Sequence, residues 1–248
     1  MIFNYHTHTS RCNHANGLDR EYIEKAIERG IQTLGFSDHA PYDFPFDGYY
    51  SHFRMKKDEA EEYTKSIRAL QKEYEKDIRI LCGFELEYYP LYHAREMQFL
   101  KQFSPDYLLL GQHFVGNEPN GKTGRGNQEE YVSQVIEGLK TGDFLYLAHP
   151  DISGFEGDEQ AILQAYRRLC ENSKELNIPL ELNLLGIREK RWYPDERFWK
   201  IAGEVGNEVI LGTDAHAPEQ FLHYADEQTA LSIVKKYNLK LMEKSPLV

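Results

Sequence analysis

The 248-residue chain reads as an α/β barrel of parallel strands with crossover helices, and three observations predict it. Seven short apolar runs, rich in β-branched, aromatic and leucine residues, have the length and flanking glycines of buried strands rather than helix segments. Amphipathic segments of helical period lie between many of them, and that alternation implies parallel pairing. Histidine or acidic residues that could bind metal follow six of the seven runs within two residues, so those strand ends must converge. A closed barrel gathers all its C-terminal strand ends around one mouth, whereas an open sheet offers a crevice only at its switch point. The length suits one domain over residues 1–248.

The first strand, Ile2–Tyr5, runs into His6-Thr7-His8. Residues two apart on an extended chain point the same way, roughly 7 Å apart at ~3.3 Å rise per residue, so this pair can clasp a metal ion. Asp19–Arg29 carries Tyr22, Ile23, Ala26 and Ile27 on one face and stops at Gly30, a natural helix C-cap. Thr33–Ser37 leads into Asp38-His39 and then a long loop, Ala40–Lys57, which holds Tyr42, Phe44, Phe46, Tyr49, Tyr50, His52 and Phe53 beside Asp43 and Asp47. After a helix at Asp58–Glu75, Ile78–Phe84 delivers Glu85, and Tyr107–Gly111 delivers Gln112-His113 ahead of a Gly- and Asn-rich loop, Gly116–Gly126. Gln128–Lys140 precedes Phe144–Ala148 and His149; Asp158–Glu175 precedes Leu180–Leu184; Asp195–Val205 precedes Val209–Thr213 and Asp214-Ala215-His216. A last helix is expected at Glu219–Tyr237, and acidic residues are weighted toward the helix starts, where they complement the dipole. The two long loops follow ligand-bearing strands, where such loops form lids or binding walls.

Composition narrows the function. A formal net charge of -11, with no block of consecutive Lys or Arg reaching about five or six residues, points away from nucleic acid or a membrane surface as partner. Cys12, Cys82 and Cys170 are widely spaced and form no Cys-x-x-Cys, so neither a disulfide scaffold nor a zinc knuckle is indicated. The opening Met-Ile-Phe-Asn-Tyr-His has no signal-peptide pattern, and no apolar run approaches the ~20 residues of a membrane span. A cytoplasmic protein is expected. No Cys-x5-Arg, Gly-x-Ser-x-Gly or P-loop pattern supports the commoner alternatives for phosphate or acyl chemistry.

Of ten histidines, His6, His8, His39, His113, His149 and His216 follow predicted strands, and His14 lies in the first such loop. Core packing explains that placement poorly, because a buried imidazole must still satisfy two ring nitrogens. A metal-dependent hydrolase is the leading hypothesis. His-Thr-His-Thr, His14, Phe-Ser-Asp-His-Ala-Pro, Gly-Phe-Glu-Leu-Glu-Tyr, Gly-Gln-His-Phe, Ala-His-Pro and Gly-Thr-Asp-Ala-His resemble, in order, the motifs of the polymerase-and-histidinol-phosphatase (PHP) superfamily over residues 5–216. The stretch Phe36–Pro41 is similar to its stand-alone histidinol-phosphatases.

That resemblance implies a distorted seven-stranded (β/α)7 TIM-like barrel with a metal site at the C-terminal strand ends. It assigns His6, His8, Glu85 and Asp214 to a first metal ion, His14, His39 and His216 to a second, and Glu85, His113 and His149 to a third, with Glu85 bridging. Three divalent ions, of zinc, iron or manganese, follow as cofactors, and their positive charge suits a phosphate dianion despite the acidic chain. The implied reaction is hydrolysis of a small-molecule phosphate monoester, L-histidinol phosphate, by a metal-bridging hydroxide, with Glu85 and Asp214 indispensable. Asp38 is a candidate for the leaving-group acid or for orienting a ligand.

In Asn183-Leu184-Leu185-Gly186-Ile187-Arg188 the resemblance points to Arg188 as the phosphate-binding arginine, with Arg191 second; a surface pair of Arg188 with Glu189 or Glu196 is the competing reading. The aromatic loop with Asp43 and Asp47, or Trp192-Tyr193, offers walls for the amine and imidazole, or simply packs. Family phosphatases often carry a basic residue after the fifth strand, where this chain reads His149-Pro150-Asp151-Ile152-Ser153-Gly154-Phe155. The alternatives are a PHP-type phosphoesterase for sugar phosphates or nucleotide fragments, an amidohydrolase-type barrel, and a metal-binding module without catalysis. Oligomeric state is left open.

Overall fold

The structure, a computed structural model, describes residues 1–45 and 49–247. Phe46 and Asp47 therefore lie outside the described residues. Strands and helices alternate in the order β1 (Phe3–Asn4), α1 (Asp19–Arg29), β2 (Thr33–His39), α2 (Glu59–Glu73), β3 (Arg79–Leu86), α3 (His93–Leu100), β4 (Tyr107–Leu110), α4 (Gln128–Lys140), β5 (Tyr146–Leu147), α5 (Glu159–Glu175), β6 (Leu180–Asn183), α6 (Leu184–Arg188), α7 (Glu196–Val205), β7 (Glu208–Gly212), α8 (Tyr224–Lys236) and β8 (Lys240–Leu241). This is the expected α/β class.

Among the described residues the parallel sheet has eight strands where seven were expected. β8 pairs in parallel with β7, Val209 opposite Leu241, but has only two residues, one of them exposed Lys240, and so leaves no apolar run to read. Helices α3 and α6 are also additions. The helix expected over Glu219–Tyr237 is interrupted: Pro218–Leu222 is a 3-10 turn, and His223, with ψ 74°, leaves helical space before α8 begins.

The chain forms two compact units, Met1–Leu86 with Ala94–Leu109 and Gly212–Tyr224, and Glu87–His93 with Leu110–Leu211 and Ala225–Val248. In the first, β1, β2, β3 and β4 follow one another in the sheet, and β2 pairs in parallel with β3 from Thr33↔Arg79 to His39↔Glu85. That register alone sets two of the expected ligands side by side. Tyr107 occupies the interior over Gly35 and Gly83, where an added Cβ would come within 2.3 Å and 2.6 Å of it, so neither position admits a larger residue. Its hydroxyl reaches the carbonyl oxygens of Tyr5 (2.7 Å) and Phe36 (3.0 Å). Helix α1 buries Tyr22, Ile23 and Ala26, and α2 buries Tyr63, Ile67 and Leu70, each large apolar side chain contributing about 1.5–3 kcal/mol.

In the second unit β5, β6, β7 and β8 follow in order. Its core carries a run of aromatic contacts, Tyr131–Phe155, Phe155–Tyr166, Tyr166–Phe198 and Phe198–Trp199, with ring centroids 5.1–5.7 Å apart. Asp151, buried after β5, accepts hydrogen bonds from the Asp195 amide (2.6 Å) and the Trp199 indole (3.0 Å). It thereby pins the start of α7, where Asp195 caps the Arg197 amide. Burial pushes the Asp151 carboxyl up to about 7.

Candidate metal centre

In the first unit the two His-x-His-like elements meet backbone to backbone. Thr7 and Ala215 form a parallel bridge, with the His8 amide donating to the Ala215 carbonyl at 2.9 Å. Since side chains alternate, the residues flanking that bridge, His6 and His8 on one strand and Asp214 and His216 on the other, share one face. The Oδ1 of Asp214 lies 3.1 Å from His8 Nε2 and 3.5 Å from His6 Nε2. The Oε2 of Glu85 lies 3.1 Å from His39 Nδ1 and 3.4 Å from the Nε2 atoms of both His6 and His8. All five are buried.

The tautomers show what this arrangement requires. A backbone carbonyl can only accept, so the contacts His14 Nδ1 to Cys12 O (2.8 Å) and His216 Nδ1 to Asp214 O (3.1 Å) put the proton on Nδ1 of each neutral ring. Both Nε2 atoms then carry lone pairs, and they face each other at 2.9 Å. His8 repeats the pattern, its Nδ1 set toward Asp38 Oδ1 at 3.4 Å while its Nε2 faces two carboxylates. Lone pair against lone pair and against carboxylate is repulsive unless a cation sits among them, so the donor set fits divalent metal. Without metal, the electrostatics divide. Burial alone would lower His8, but the Asp214 and Asp38 carboxylates raise it well above the usual imidazole range. Burial and repulsion from charged His8 push His216 down to about 3. Burial opposes but does not prevent a strongly lowered Asp214, held down by the imidazolium charge of His6 and His8.

Asp38 is completely buried, and both of its oxygens accept hydrogen bonds. Beside His8 it takes the His39 amide on Oδ1 (2.9 Å) and a short hydrogen bond from the Thr9 hydroxyl on Oδ2. That is the environment of a side chain that orients a ligand.

The second unit brings together His113 and His149, with ring centroids 5.1 Å apart. Glu87, buried, accepts from His113 Nδ1 at 2.9 Å, which leaves the lone pair of a neutral ring on the other nitrogen. Glu181, also buried, accepts the His149 amide at 2.9 Å and the Asn183 side chain at 3.1 Å. His149 and Asp214 both hold positive φ, 29° and 48°, conformations that cost non-glycine residues about 1–3 kcal/mol and cluster at functional sites. Sequence reasoning gave Glu87 and Glu181 no role. Their signals were there: Glu87 sits two residues after Glu85, and Glu181 interrupts an apolar strand.

Arg188 is 8 % exposed and pairs with Asp226 of α8 at 3.5 Å. Its expected surface partners are engaged elsewhere, Glu189 with Arg191 (2.7 Å) and Glu196 with Lys236 (2.6 Å). Arg191 is thus tied into a surface pair. Trp192 is exposed, its indole donating to the Ile152 carbonyl, while Tyr193 is buried. In the loop after β2, Tyr42 stacks on Phe44 at 5.2 Å and Phe53 meets the His39 ring edge-on at 5.3 Å, while Asp43 is held by Lys57. Several of these aromatics therefore pack the loop. Among the described residues no helix is long and apolar enough to cross a membrane.

The PHP domain family matches residues 4–184, and the chain belongs to that family. A protein of Deinococcus radiodurans named "Probable histidinol-phosphatase" is 28 % identical over 242 residues, covering 89 % of each chain. A Schizosaccharomyces pombe protein of the same name is 26 % identical over 286 residues, 99 % of this chain and 91 % of the other. The fold is shared with histidinol phosphate phosphatase of Lactococcus lactis, solved with zinc, L-histidinol and phosphate: TM-score 0.72 at 18 % identity, covering 97 % of this chain and 95 % of that one.

Proposed function

From membership of the PHP family, we propose that this chain is a metal-dependent phosphomonoesterase that hydrolyses L-histidinol phosphate to L-histidinol and phosphate. The observation that carries the metal dependence is the buried meeting of His6, His8, His39, Glu85 and Asp214, with His14 and His216 opposed through their Nε2 atoms. The substrate follows the relatives named for it.

His6, His8, Glu85 and Asp214 would hold one ion and His14, His39 and His216 a second; a third, of the three expected, would take His113 and His149. Bound divalent metal supplies a water acidified from 15.7 toward ~7 and positive charge for the phosphate oxygens. The chain's own residues do the rest. Asp38 and Glu87 engage Nδ1 of His8 and His113 and so turn the second nitrogen of each ring toward a metal ion. Asp214, kept ionised, and buried Glu85 hold negative charge where imidazoles converge. Arg188, held by Asp226 rather than loose in solvent, is the phosphate partner we assign, its guanidinium fork suiting a dianion.

The test is phosphate release from L-histidinol phosphate beside sugar phosphates, nucleotides and p-nitrophenyl phosphate, on protein of measured metal content. A strong preference in kcat/KM for histidinol phosphate is expected. Comparable slow rates across the panel would keep the metal chemistry and refute the substrate; no release at full metal content would leave a binding module.

A further inference from the structure

One donor beside the metal cluster has no role in the assignments above. Cys12 closes the 3-10 turn Ser10–Cys12 after β1 and is fully buried. Its sulfur, a ring nitrogen of His14 and a ring nitrogen of His216 all lie within 4.8 Å of one another. The same sulfur lies within 4.8 Å of a ring nitrogen of His8 and a carboxylate oxygen of Asp38. The turn makes this possible: Thr9 O accepts the Cys12 amide at 3.1 Å, and Asn13, at φ 68°, reverses the chain before His14. Cys12 also supplies, through its carbonyl, the bond that aims His14 Nε2 at His216. One residue thus sets the ring and presents a thiol beside it.

We propose that Cys12 is a fourth donor to the ion held by His14, His39 and His216, binding it through a thiolate sulfur. The inference rests on the metal-centre reading above and extends it. A coordinating thiol gives up its proton to solvent as the metal binds, so no other reactant is needed. Three imidazoles and one thiolate suit tetrahedral zinc, and the soft sulfur disfavours manganese and magnesium relative to zinc, cobalt or iron. One ion of the centre would then differ from its neighbours in preferred metal. The competing account is that Cys12 is a small apolar filler, the usual state of a buried cysteine.

Cobalt substitution separates the two. Metal-free protein is reloaded with Co2+, its metal content is measured, and its absorption spectrum is recorded. A thiolate-to-cobalt charge-transfer band in the near ultraviolet is expected beside the visible ligand-field bands. It is lost in Cys12→Ser and retained in the Cys82→Ser/Cys170→Ser double variant, which assigns the band even if Cys12→Ser folds poorly. Cobalt bound with ligand-field bands but no charge-transfer band, or a band that survives Cys12→Ser in folded protein, overturns the proposal while leaving the nitrogen and oxygen centre intact. Protein that binds no cobalt overturns both.

Discussion

The first unit sets carboxylate oxygens directly against imidazole nitrogens, Glu85 facing His6, His8 and His39, and Asp214 facing His6 and His8. The second unit places its carboxylates behind its histidines, Glu87 on the far nitrogen of His113 and Glu181 on the backbone of His149. The same two residue types thus do different work. A carboxylate in front of an imidazole adds charge and a ligand atom to a metal site. One on the far ring nitrogen, as Glu87 is on His113, fixes ring orientation and tautomer, and one on the amide, as Glu181 is on His149, holds the backbone. Asp38 brings that second arrangement into the first unit, behind His8.

The largest effect should come from removing a front carboxylate. Glu85→Ala is expected to lose metal and phosphate release together, by more than the ~100-fold that marks the upper end for an outer-shell partner. Metal analysis alongside the assay reads this, and undiminished turnover would remove Glu85 from the centre. Glu87→Gln, which keeps the shape but not the charge behind His113, should weaken metal affinity or activity by only about 10–100-fold. A loss as complete as that of Glu85→Ala would erase the contrast between the units. Asp38→Asn sharpens it within one unit: an orienting Asp38 lowers metal affinity, whereas a leaving-group acid would lower kcat at full metal content and reshape the alkaline limb of the pH profile.

The smallest effect concerns buried acids away from the ligands. Asp151 in the second unit has two hydrogen-bond donors, whereas Glu96 in the first is 2 % exposed with an Oε1 that makes no hydrogen bond among the described residues. Burial, against the attraction of Lys57, Arg54 and Arg95, pushes Glu96 from 4.5 up to about 8. The folded state therefore binds the proton more tightly than the unfolded state. The Glu96 contribution is fully present below about pH 4.5 and is lost as pH rises toward 8. Chemical denaturation across that range should show Glu96→Gln gaining stability relative to wild type as pH increases. A pH-independent difference would place Glu96 in contact with solvent or with a cation.

The candidate ligands were legible because strand ends carry them. His6 and His8, Asp214 and His216, and Glu85 each stand at a place where an apolar run stops, and local period-two geometry fixes which side chains share a face. Which histidine each of Glu87 and Glu181 serves was not legible, because Glu87 and His113 are 26 residues apart and Glu181 and His149 are 32 apart. No local rule links such positions. The pairing of Arg188 with Asp226, and not with the nearby Glu189 or Glu196, has the same cause.

The sequence by itself determined the strand–helix alternation, the α/β class and the residue types gathered at strand ends, since hydrophobic period and chain direction are local properties. Tertiary structure alone decided the eighth strand, whose two residues pair with β7 without an apolar signature, and the break at His223. It alone decided which nitrogen carries the proton in His14, His216 and His113, because a tautomer depends on the partner that folding brings to one side of the ring.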